Sequence, residues 1–118
     1  MISIADDIKI LVCTQPIDMR KSINGLVVLV IETLKQNPQS KQMFLFYSKS
    51  KDKIKAIVWD KNGFILLYKK LEKERFIFPQ DIHSTCLEIN GDLLKWLLQG
   101  FDFYRLKHHP ELKFTQYF

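Results

Sequence analysis

Only two cysteines occur in the 118 residues, Cys13 and Cys86, and neither belongs to a C-x-x-C pair. No histidine stands at metal-ligand spacing from either. Both therefore read as reduced residues of an intracellular chain, and a zinc site is excluded. Proline and glycine are also sparse, four of each, so linkers and low-complexity segments are absent and these residues act as punctuation. The longest apolar run, Leu26 to Ile31, is far too short to cross a bilayer. The opening "MISIADDIKI" carries acids where a signal peptide needs bases, so we expect no membrane association and a cytoplasmic location. Phosphate loop, dinucleotide fingerprint, nucleophile elbow and zinc signature are all missing. No cofactor is expected.

What is present suits one globular domain. Hydrophobic residues make up 47% and charged residues 26%, and a chain of this length buries a core without staples. The formal net charge is +5, and it is concentrated. Lys41 to Arg75 holds ten Lys/Arg and four Asp/Glu; the remainder holds eight bases and nine acids. A basic segment of this kind invites a polyanion, or it is simply a well-solvated surface.

Along the chain, Ile8–Thr14 is β-branched and reads as a strand closed by Pro16. Asp18 suits a helix N-cap. Ile23, Leu26, Val27, Val30 and Leu34 follow at helical spacing, and Val28, Leu29 and Ile31 widen the stripe into a helix buried on most sides, ended by Asn37-Pro38. Met43–Tyr47, Ile54–Asp60 and Phe64–Glu72 read as a three-stranded antiparallel meander. Its second turn, Lys61–Gly63, would place Gly63 in the left-handed position. Arg75–Pro79 reads as a short edge strand and Cys86–Ile89 as another. Asn90 caps a second helix with Leu94, Leu97, Leu98 and Phe101 on one stripe and Gly100 at its stop. The expected fold class is α+β, a small antiparallel β-meander sheet with two helices packed on one face. It occupies 1–104 as a single domain, and 105–118 forms an irregular tail.

A three-residue loop pairs Asp60 with Phe64, which sets Lys55 opposite Lys69 with Lys53 and Lys73 nearby. Ile57, Trp59, Ile65, Leu67 and Leu71 share that face. Like charges directly opposed are unfavourable, and bound phosphates would relieve them. The alternative is that the helices cover the apolar residues and the lysines lie at the rim. Arg20 and Lys21, in what would be a helix's first turn, either pair with Asp18 or contact phosphate. Candidate nucleic-acid contacts are therefore Arg20, Lys21, Lys53, Lys55, Lys69, Lys70, Lys73 and Arg75, with Trp59 as a partner contact. Asp18, Asp60, Glu72 and Glu74 read as surface charges rather than a catalytic or Mg²⁺ set. His83 near Cys86 and the pair His108-His109 lack the further groups a nucleophile or a metal would need.

Several fragments carry a family likeness. They are D-M-R-K at Asp18–Lys21, D-x-I-K at Asp52–Lys55, W-D-x-x-G at Trp59–Gly63, Y-K-x-L-E at Tyr68–Glu72 and R-F-x-x-P at Arg75–Pro79, followed by "LLQGFDF". From about Ile8 to Phe103 the chain resembles the small TnpB accessory proteins, second-reading-frame products of the IS66 family of bacterial insertion sequences. Ser22 and Ile23 stand where many relatives carry glycine or an aromatic residue. The resemblance implies a non-enzymatic role in DNA transposition beside a separate, larger transposase, and it carries over no catalytic residue or cofactor. An unrelated RNA-guided nuclease shares the TnpB name. It needs a zinc ribbon and a nuclease carboxylate set, and this chain is too short for either. Two functions follow as expectations. One is binding of DNA, with little sequence choice, or of the transposase–DNA complex, through a basic hairpin. The other is a protein–protein adaptor for the transposase without DNA contact. The oligomeric state is left open.

Overall fold

The computed structural model describes residues 8–73, 75–77 and 84–98. Their elements follow the order β1 (Lys9–Cys13), α1 (Ile23–Glu32), β2 (Gln42–Tyr47), β3 (Lys53–Asp60), β4 (Gly63–Lys70), β5 (Cys86–Ile89) and α2 (Gly91–Leu98). The five strands form one sheet in the order β4-β3-β2-β1-β5. The meander β2–β3–β4 is antiparallel, as is β5 on β1, but β1 and β2 run parallel. The class is α+β, with a mixed rather than wholly antiparallel sheet. A parallel neighbour needs a crossover, and α1 supplies it.

Why these residues form these strands follows from burial. In β2, Met43, Leu45 and Tyr47 point to one face, and Phe44 and Phe46 to the other; all five are buried. In β1, Ile10 and Val12 share the first face, and Leu11 and Cys13 the second. Strands buried on both faces read as continuous apolar runs, which is how "ILVC" and "MFLFY" look in the sequence. A sheet apolar on both sides must be covered on both. Leu26, Val30 and Leu34, the last just beyond α1, pack against Phe44, Phe46 and Ile57, whereas Leu94 of α2 packs with Ile10, Val12, Met43 and Leu45. The helices thus lie on opposite faces, contrary to the expectation that both share one.

Local chemistry sets the boundaries. Asp18 does not cap α1. Ser22 does, its hydroxyl accepting the Gly25 N–H, and Asp18 instead closes a separate turn before the helix. Asn90 caps α2 as its position suggests, accepting the Leu93 N–H at 2.8 Å. α1 is covered on one side only: Val28 and Ile31 are 48% and 50% exposed, because the sheet occupies a single side of the helix. Arg75–Ile77 is not a strand. Phe76 inserts into the α2-side core and donates its N–H to the Lys51 carbonyl at 2.7 Å. Gly100, Pro79 and the segment 105–118 lie outside the described residues.

The β3–β4 turn departs from expectation with large consequences. Asp60 pairs with Gly63, not Phe64. Lys61 takes the left-handed conformation, φ 54°, and Asn62 donates its N–H back to the Asp60 carbonyl. The loop is one residue shorter than a Gly63-centred turn would need. In a strand, one residue of register exchanges the two faces.

Past α1 the chain reverses through Lys35 at φ 57°, which lets the Gln36 N–H reach the Val30 carbonyl. A left-handed side-chain-bearing residue costs about 1–2 kcal/mol, and glycine's greater unfolded freedom offsets about half of that. Lys35→Gly is expected to stabilise the domain by about 0.5 kcal/mol, and Lys35→Ala to leave it nearly unchanged, both read from urea denaturation midpoints.

Candidate nucleic-acid interface

The observed register sorts the lysines. Lys53 pairs with Lys70, Lys55 with Tyr68, Ile57 with Leu66 and Trp59 with Phe64, all on the α1 side. Ile54, Ala56 and Val58 oppose Lys69, Leu67 and Ile65 on the α2 side. The expected Lys55–Lys69 opposition therefore does not exist. Lys69 faces away from Lys53 and Lys55, and the apolar set divides, with Ile57 and Trp59 on one side and Ile65, Leu67 and Leu71 on the other. The like-charge pair directly opposed across the hairpin is Lys53–Lys70.

Lys53 is partly neutralised. Its ammonium lies 3.0 Å from Asp52 Oδ1, and both side chains are more than two-thirds buried. Asp52 also accepts from Ser50 and Ser48, which order the Ser48–Lys53 turn. The Ser50 hydroxyl, then Lys53, hold the Asp52 carboxyl down at about 2. Arg20 is similarly committed. Its Nε reaches both Asp18 oxygens at 3.1 Å and its NH2 reaches Oδ2 at 2.7 Å, while Asp18 Oδ1 accepts the Arg20 backbone N–H at 2.9 Å. These bonds hold the Asp18 carboxyl well below the usual carboxylate range. The Arg20 side chain nevertheless remains 91% exposed.

Lys55 has the most specific environment. Its ammonium donates to the Met19 carbonyl at 2.6 Å and the Lys21 carbonyl at 3.0 Å, and sits 5.4 Å from the Tyr68 ring centroid. A cation between two carbonyls and an aromatic face is a clamp. It fastens the Asp18–Lys21 turn to the sheet and thereby brings Arg20 and Lys21 beside the hairpin. Three of the fragments that carry the family resemblance, D-M-R-K, D-x-I-K and Y-K-x-L-E, meet at this one ammonium. Sequence reasoning treated Lys55 as a candidate phosphate contact and overlooked Tyr68. A two-residue hairpin loop, which pairs positions 55 and 68, is the signal that would have joined them.

Lys21, Lys70 and Lys73 have exposed side chains and form no direct ion pair among the described residues, although Lys21 lies near enough to Asp18 to help hold its carboxyl down. Arg75, also exposed, follows β4 at the same end of the hairpin. At the other end, Trp59 and Phe64 stack edge to face at 5.0 Å. A shallow open depression next to them is lined by Ser22, Ile23, Asn24, Phe64 and Leu66. Lys53 and Trp59 lie six residues apart on one strand, about 20 Å, so the basic end and the aromatic end are separate surfaces. Asp60, at the aromatic end, is about 17 Å along β3 from the Lys55 clamp that holds the Asp18 turn. No three His, Cys, Asp or Glu side chains come together as metal ligands among the described residues. Glu74, His83 and His108-His109 lie outside the described residues.

A family described as IS66 Orf2 like protein matches residues 8–108. Two relatives come from Sinorhizobium fredii (strain NBRC 101917 / NGR234). "Uncharacterized protein y4jC" is 37% identical over 110 residues, 93% of each chain. "Uncharacterized protein y4hO" is 30% identical over 111 residues, 94% of this chain and 92% of the relative. No solved structure matches the chain.

Two outcomes follow from the geometry. Lys55→Met keeps the aliphatic stem but removes the ammonium from two carbonyls, so it should cost about 1–3 kcal/mol of stability, measured by urea denaturation. The Asp52 carboxyl, depressed when folded, adds stability that is present above the unfolded value near 4 and lost as pH falls through about 2. Asp52→Asn should flatten the stability-against-pH curve between about pH 4 and pH 2 and lower stability at neutral pH.

Proposed function

The chain belongs to the IS66 Orf2-like family of transposition-associated accessory proteins, and from that premise we propose that it is a non-enzymatic DNA-binding component that contacts phosphates through the basic end of the β3–β4 hairpin. The observation that carries this reading is the clustering of cations there. Lys55 draws the Arg20–Lys21 turn against the strand that carries Lys53, beside Lys70. Lys70 and Lys73 form no ion pair among the described residues, and Lys21 shares Asp18 with Arg20 without a direct ion pair. Lys53 and Lys70 are opposed across the hairpin; Asp52 offsets part of the Lys53 charge, and a bound anion would relieve the remainder.

Contacts of this kind give affinity without base readout. The reading assigns the phosphate contacts to Lys21, Lys70, Lys73 and Arg75, with Arg20 and Lys53 held partly by their own carboxylates. Lys55 positions the turn, and Lys69 lies on the other face. The protein would act in the cytoplasm with the element's DNA and its transposase.

A second reading is favoured by a specific observation. Val28, Ile31 and Tyr68 are 48%, 50% and 55% exposed, and Trp59 and Phe64 are partly exposed. An adaptor docking on the transposase would use Trp59 and Phe64 at the aromatic end of the hairpin with the exposed side of α1, leaving the charges solvated.

Binding to a duplex of mixed sequence at low salt, measured by fluorescence anisotropy across a salt series, decides between them. The triple variant Lys21→Glu/Lys70→Glu/Lys73→Glu should weaken binding at least tenfold and reduce the magnitude of the log–log salt slope by about 3. Lys69→Glu should change it little. Absence of duplex binding at low salt, or indifference to the triple variant, would defeat the DNA reading. Co-purification with the transposase after nuclease treatment, abolished by Trp59→Ala, would establish the adaptor.

A further inference from the structure

The two cysteines of the chain, 73 positions apart in sequence, are direct partners across β1 and β5. They share one face: Cys13 belongs to the α1-side core and Cys86 packs against it. Their place in the ladder matters. The Thr14 N–H donates to the Thr85 carbonyl at 3.1 Å, which makes Thr14 and Thr85 a hydrogen-bonded pair. Antiparallel ladders alternate, so the adjoining Cys13–Cys86 pair is of the non-hydrogen-bonded kind, where Cα atoms approach to about 4.5 Å. A disulfide spans Cα separations of roughly 4.4–6.8 Å, so this pair can be bridged without moving the backbone.

The surroundings hold the pair in place. The Thr14 hydroxyl donates to the Ser84 carbonyl at 2.6 Å, the Ser84 hydroxyl donates to the Cys86 carbonyl at 2.7 Å, and the Tyr47 hydroxyl donates to the Thr14 carbonyl at 2.6 Å. Cys13 currently directs its thiol to the Gln15 carbonyl at 3.4 Å, a weak contact that a rotation about its Cα–Cβ bond releases. Both thiols are free in this structure.

We propose that Cys13 and Cys86 form a thiol–disulfide modification site, oxidised by a small-molecule disulfide such as glutathione disulfide, and that the resulting bond locks the edge strand β5 onto β1. Entry is through Cys86. It is partly exposed on an edge strand, whereas Cys13 is 3% exposed and burial pushes its thiol up. The Cys86 thiolate attacks one sulfur of glutathione disulfide. A Cys86–glutathione bond forms and one glutathione thiolate leaves. Cys13 then loses its proton and attacks Cys86 Sγ, forming the Cys13–Cys86 bond and expelling the second glutathione. Two protein thiols are oxidised, one disulfide is reduced, and two glutathione molecules are released. The bond closes a loop that contains α1, β2, β3 and β4, a long span whose closure restricts the unfolded chain strongly.

The test treats the folded full-length protein with glutathione disulfide, quenches by alkylation, and reads intact mass, peptide linkage and Tm. The expected product is a monomer lighter by two hydrogens, linked Cys13 to Cys86, with Tm raised by about 5–15 °C and restored by dithiothreitol. Cys13→Ser and Cys13→Ala should each stop at a glutathione adduct on Cys86. A wild-type protein that keeps a stable adduct, forms linked dimers, does not react, or gains the bond without a rise in Tm overturns the proposal. A linked wild type whose Cys13 variants take up no glutathione overturns the entry through Cys86.

Discussion

Everything in this domain depends on the two-sided burial of β2. Phe44 and Phe46 point one way, Met43, Leu45 and Tyr47 the other, and none is more than 6% exposed. Two fully buried faces require cover on both, so α1 and α2 are driven to opposite sides of the sheet. β1 must run parallel to β2 because the helix between them returns the chain across one face. The hairpin β3–β4 is then an outward extension, with β3 still half in the core and β4 at the rim. The location of the basic surface follows from that gradient: charge can accumulate only where burial ends.

The hairpin's use of lysine shows that cations of one type do different jobs a few residues apart. Lys53 is tied to Asp52, Lys55 to two carbonyls and a ring, and Lys70 projects from the edge strand. Lys55 links the architecture to the candidate surface, adding a side-chain anchor to the Arg20–Lys21 turn between the Ile17–Ser48 bridge and α1. The family fragments thus converge on a structural clamp, and the surface it organises stands beside it.

Much of the fold was legible. Alternation and continuous apolar runs located every described strand, and the helical spacing from Ile23 to Leu34 located α1. Asn90 announced α2 through ordinary capping chemistry. Two local signals misled. Asp18 looks like a cap because carboxylates serve there, yet Ser22, four residues later, has the cap, and Asp18 is consumed by Arg20. Gly63 looks like the left-handed turn residue, yet Lys61 adopts that conformation. Local preference favoured glycine, and the pairing of eight residues on each strand outweighed it.

The sequence by itself determined the α+β class, the family, the concentration of positive charge between Lys41 and Arg75, and, with Arg75–Ile77 the exception, which described segments become strands and helices. The family depends on the short fragments that carry the resemblance, and the others on composition or on periodicity within one element. Only the tertiary structure decided which lysines share a face, that Lys55 is engaged rather than free, that the helices cover opposite sides, and that Cys13 meets Cys86. Strand side chains alternate with a period of two, so a single residue of register reverses the face of every partner. Register is settled by packing between distant segments, and no local stretch of the chain contains that information.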